Sequence, residues 1–96
     1  MTIMDPESVH RLRKAVDLAR GAFHASKLDE CDVGDVEEAI AAATRELERQ
    51  HPNRNTVTLY LNSIARSLIA EPSAREAREA IDQALRTSGL PATWEQ

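Results

Sequence analysis

A framework of disulfides is the first thing this sequence lacks. Its 96 residues include one cysteine, Cys31, which rules out an intramolecular bridge and leaves any zinc site short of ligands. His10, His24 and His51 do not stand at metal-ligand spacing, so neither a metal nor a cofactor is expected. Glycine and proline are scarce, at three and four residues, and there is one Trp, one Tyr and one Phe. No apolar run approaches the roughly 20 residues that cross a bilayer. The opening Met-Thr-Ile-Met-Asp-Pro-Glu has neither the basic start nor the apolar stretch of a secretory signal. These absences lead to the expectation of one cytoplasmic domain over residues 1–96, without membrane contact.

What is present is the composition of a folded protein. Hydrophobic residues make up 42% and charged residues 29%, with a formal net charge of -4, whereas a disordered chain carries fewer aliphatics and more unbalanced charge. Arginine outnumbers lysine ten to two and alanine occurs fifteen times, a usage that points to a GC-rich bacterial genome.

The few glycines and prolines divide the chain into four segments whose apolar residues recur at helical spacing. The expected fold is therefore all-α, a compact bundle of four helices arranged as two antiparallel helical hairpins. The helices are predicted over about 6–27, 33–50, 56–70 and 73–88, with a tail over about 90–96. Asp5-Pro6 supplies a cap and a first-turn proline, and Val9, Leu12, Val16, Ala19 and Phe23 form the inward line of the first helix. Asp32 is the predicted cap of the second, lined by Val33, Val36, Ile40, Ala43 and Leu47. Asn55 or Thr56 is predicted to open the third, with Val57, Leu61, Ile64 and Leu68 inward. Ser73 and Glu76 read as a capping box for the fourth, which carries Ala77, Ile81, Ala84 and Leu85 and stops at Gly89 before Pro91. The acids Glu30, Asp32, Asp35, Glu37 and Glu38 favour the start of the second helix without any ligand. A calcium loop around Gly34 fails because Ile40 stands where its glutamate belongs.

Residues 58–91 resemble a tetratricopeptide repeat. The signature steps fall on Leu61, Ile64, Ala65, Leu68, Ala77, Ile81 and Ala84 in register. The sequence departs from the pattern at Leu61, where the family has a large aromatic, and at Gly89, where it has the proline that here stands at 91. The resemblance covers about a third of the chain and implies a helical hairpin that holds a peptide or partner helix on a concave face.

No catalytic constellation is present, because the polar residues are spread along outward faces instead of converging. The expected function is a non-catalytic protein–protein interaction or regulatory module. Ala15, Leu18, Ala22 and Ala25 widen the apolar arc of the first helix beyond a single stripe, so that helix is either central to the bundle or an interface for self-association. His10, Arg13, Asp17, Arg20, His24 and Lys27 share one side of that helix, a mostly basic ridge. It reads either as attraction to the acidic second helix or as a docking face for an acidic partner. The partner-binding candidates are thus Arg13, Arg20, His24 and Lys27, together with outward-pointing Leu59 and Arg66 on the third helix and Trp94 in the tail. Leu59 is placed beside Asn62 on the outer face, and Trp94 either folds back over the core or inserts into a neighbour. The competing reading is a small helix-turn-helix-like DNA-binding regulator, in which Arg54, Asn55, Thr56 and Thr58 start a recognition helix within a stretch free of acids.

Overall fold

In the computed structural model the described residues are 5–25, 30–69 and 74–94, with backbone alone at 24, 25 and 30–35. They form α1 (Pro6–Ala25), α2 (Glu30–Glu48), α3 (Arg54–Ser67) and α4 (Arg75–Thr87), with no strand among them. No helix among these residues is long and apolar enough to cross a membrane.

Several of the observed boundaries have a local cause. The Asp5 carbonyl accepts the Val9 N–H at 3.1 Å, and the Ser8 hydroxyl donates to the Asp5 carboxylate. That hydroxyl bond is the main reason the Asp5 carboxyl is held below its ordinary range, with backbone bonds and the more distant Arg11 adding to the effect. α2 begins at Glu30, ahead of the predicted start, so Asp32 lies inside its first turn instead of capping it. α3 also begins early. Its cap is Asn53, with Oδ1 accepting the Thr56 N–H at 3.0 Å, whereas Asn55 and Thr56 already lie within the helix. An amide at 53 in extended conformation reaches a free N–H of the first turn, and this is enough to move the start two residues upstream. Residues 70–73, Ser73 among them, lie outside the described residues, so the proposed capping box does too; Ala74 precedes α4 without a side-chain cap.

The predicted stop at Gly89 is present in full. Gly89 has φ +74, its N–H donates to the Arg86 carbonyl at 3.1 Å, and the Leu90 N–H donates to the Leu85 carbonyl at 2.8 Å. These paired bonds are the Schellman arrangement, which needs the left-handed conformation glycine adopts without strain. Leu85 and Leu90 are both buried, adding the apolar contact that accompanies such a stop.

The four helices form a ring in which each packs on two neighbours, α1 on α2 and α4, α3 on α2 and α4. The bundle measures 40 × 21 × 20 Å. Among the described residues the broadest contacts run between α1 and α4 and between α2 and α3, and the narrowest between α3 and α4. Leu12, Val16, Leu61, Ile64, Ile81 and Leu85 meet in the interior essentially free of solvent. At the α2–α3 turn the buried Glu46 carboxylate accepts the Asn53 N–H at 3.1 Å and pairs with Arg49 at 3.3 Å. One acid thus fixes the turn and places negative charge at the start of α3, where the helix dipole favours it.

Two predictions follow from these boundaries. Glu46→Ala leaves the Asn53 N–H without its acceptor and should lower stability by about 1–3 kcal/mol in urea unfolding, while Glu46→Gln, which keeps an acceptor, should cost less. Because the folded-state Asp5 pKa is lowered, its stabilising contribution is complete above the unfolded-state value and is lost as pH falls through the folded one. The stability difference between wild type and Asp5→Asn should therefore stay constant from neutrality down to the ordinary aspartate range and shrink below it.

Candidate functional site

Two surface features stand out, and α4 contributes to both. A turn of about 100° per residue places Ala77, Ile81 and Leu85 inward, Arg78 and Asp82 on one flank, and Ala80, Gln83 and Thr87 on the other. The first flank faces the C-terminal segment and the second faces α1.

The C-terminal segment, residues 89–94, runs back along the seam between α3 and α4. At its start the Arg54 guanidinium donates to the Gly89 carbonyl at 3.2 Å. Midway, Asn62 grips its backbone from both sides: Nδ2 donates to the Pro91 carbonyl at 2.9 Å and Oδ1 accepts the Thr93 N–H at 2.7 Å. The same Nδ2 donates to the Thr58 carbonyl of its own helix at 2.9 Å, which fixes the side chain in place. At the far end Trp94 is 8% exposed. Its indole N–H donates to Asp82 Oδ1 at 3.1 Å, and the Arg78 guanidinium lies 5.6 Å from its ring centre. Arg78 also donates to the Leu68 and Ile69 carbonyls at 3.4 and 3.1 Å, so a cation sits at the C-terminal end of α3, where the dipole favours it.

The second feature is a groove of about 370 Å³ between α1 and α4. Ala15, Leu18, Ala80 and Ala84 line it with small or apolar side chains, and Arg11 and Lys14 stand along the α1 side. Leu18 is 49% exposed there. Neither Arg11 nor Lys14 has a salt-bridge partner among the described residues. Glu76, exposed and likewise outside any ion pair described, lies on the same line of α4 one turn beyond Ala80.

The residues singled out from the sequence fall in different places. Arg20 is taken up at the α1–α2 seam, 3.5 Å from Asp17 and 3.2 Å from the Thr44 hydroxyl. Arg13 is exposed on that same flank, away from the groove. The His24 side chain and all of Lys27 lie outside the described residues. Leu59, 66% exposed, and Arg66 project outward as expected. Asn62 does not share their outer face: it is 5% exposed beneath the tail. Trp94 takes the fold-back course. At the start of α3, Arg54 is engaged with Gly89, the Thr58 hydroxyl donates to the Arg54 carbonyl at 2.7 Å, Thr56 is half-buried and Asn55 is exposed. All seven tetratricopeptide-like positions are buried, as any packed helical pair requires. Among the described residues, no three His, Cys, Asp or Glu side chains gather as a metal site.

Periodicity alone could not have revealed the grip of Asn62 on the tail, because a polar residue at that position looks solvated until a second segment covers it. The groove was half legible. Ala15 and Leu18 were visible as a widened arc, but Arg11, Lys14 and Ala80 meet only once α4 lies against α1. The chain matches no protein-family model, no curated protein and no solved structure.

Asn62→Ala should release the tail at a cost of about 2 kcal/mol, two backbone bonds being lost to water. Trp94 is the sole tryptophan, so its emission should shift to the red in the variant while helical circular dichroism is largely kept.

Proposed function

We propose that the chain is a non-catalytic cytoplasmic protein–protein interaction module that associates with a second copy of itself through the α1–α4 groove. The carrying observation is Leu18, half exposed on a floor of alanines. Small residues let another helix approach closely, and a leucine at the centre supplies the apolar anchor that interfaces favour.

Charge along the groove supports a two-fold arrangement. Arg11 and Lys14 are basic on one side, and Glu76 is acidic one turn beyond Ala80. A copy related by a two-fold axis running across the groove is turned end for end, so each acid lies over the other copy's basic pair and the contact closes on itself. An identical copy in the same direction would instead align like charges. The tetratricopeptide resemblance of residues 58–91 agrees with a role in holding helices or peptides.

Sedimentation at increasing concentration should approach twice the 10.7 kDa chain mass. Leu18→Glu should return the monomer with its helical signal intact, whereas Leu59→Glu, on the far side, should not. Arg11→Glu should weaken the dimer, and adding Glu76→Arg should restore it. A wild-type chain that remains monomeric at the highest attainable concentration refutes the self-association.

A further inference from the structure

The seam between α3 and α4 has the organisation of a peptide-binding site, and in this structure its ligand is the chain's own tail. The side chains that hold the segment all come from the helices and act in three ways. Asn62 reads the backbone, bonding one carbonyl and one N–H two residues apart, which requires an extended strand but no particular side chain at 91 or 93. Asp82 reads an indole N–H, with its second oxygen held by Arg86 Nε at 2.9 Å. Arg78 lies against the aromatic face. Leu90 and Trp94 are the two large side chains of the segment that are buried, while Pro91 and Thr93 face solvent. Bonding to the main chain supplies affinity and pockets for spaced side chains supply selectivity, the division seen wherever extended peptides are recognised.

We infer that this seam is a binding site for an extended segment of a partner protein bearing an aliphatic residue and a tryptophan four positions after it, and that residues 90–94 occupy it in cis as a displaceable ligand. Two observations favour exchange over permanent packing. The direct contact between α3 and α4 is the narrowest in the ring, so the seam is filled by the tail and not by the helices. Arg78 Nε is buried there without a hydrogen-bond partner, a donor that the resident segment does not satisfy. Gly89 is the pivot, where the chain leaves α4 in a conformation that only glycine holds at no cost.

A short tether gives the resident tail an effective concentration of about 1 mM, so an outside peptide competes poorly with it unless the tail is weakened. The test uses a fluorescein-labelled peptide, Gly-Leu-Pro-Ala-Thr-Trp-Glu-Gln, titrated into the full chain and followed by anisotropy. Trp94→Ala empties the aromatic end of the seam; Thr93→Pro keeps Trp94 and removes the N–H held by Asn62, fixing φ at that position as well. At least one of the two, with helical circular dichroism retained, should bind the peptide saturably and about tenfold or more tighter than wild type does. Adding Asn62→Ala to that variant should abolish binding, and replacing the peptide's tryptophan with alanine should do the same. Equal affinity for wild type and variant, or absence of saturable binding to a folded variant, overturns the inference. So does loss of helical signal in both variants, because a segment the fold cannot release is not a ligand. Leu18→Glu should bind the peptide as its parent does, so failure of the proposed dimer leaves this result readable.

Discussion

The structure depends on burying four apolar stripes at once with very few large rings. One phenylalanine and one tryptophan are the bulkiest groups in the core, and the rest is aliphatic and alanine. Alanines bring α1 and α4 close and leave a groove beside them. On the opposite flank of α4 the same shortage of bulk leaves a seam against α3, which is closed by chain and not by side chains. The tail supplies Leu90 and Trp94 to the interior and thereby completes a core that the helices alone leave open.

That constraint explains where the buried polar groups lie. A tail without regular structure brings main-chain groups into a partly dry seam, where each needs a partner. Asn62 is suited to this, because an amide both donates and accepts and can bond a carbonyl and an N–H of the same strand. Glu46 solves the equivalent problem at the other end of α3, where the chain turns and the Asn53 N–H would otherwise be unmet. Both residues sit at the edge of the apolar interior, and both hold non-helical backbone against a helix.

The helices themselves were legible from spacing and punctuation. Spacing puts Val57, Leu61, Ile64 and Leu68 on one inward line and all four are buried, and Gly89, the expected stop, makes both bonds of one. The difference at the start of α3 has a non-local origin. Asn53, Asn55 and Thr56 are all competent caps, and choosing among them depends on whether Glu46 is folded back to meet Asn53, a contact seven residues apart that local chemistry does not encode. Asn62 was placed outside for a similar reason. Helical periodicity describes a rod against a core, and the tail is a second covering layer that has no period.

The candidate surfaces illustrate the same limit. The basic ridge of α1 was conspicuous in sequence because its charges share one side, yet Arg20 is drawn into the α1–α2 seam by Asp17 and Thr44. Beside the groove, Arg11 and Lys14 have no ion-pair partner among the described residues; they come from the neighbouring flank and are not marked by any spacing. A charge is informative for recognition only after the fold has settled which opposite charges lie within reach. In this bundle α4 settles it, since α4 meets α1 through alanines and has no ion pair with Arg11 or Lys14 among the described residues, while on its other flank Asp82 bonds both Trp94 and Arg86 and the Arg78 guanidinium lies against the Trp94 ring. The two flanks of one thirteen-residue helix thus differ in kind, one open and apolar with cations at its edge, the other polar and already filled.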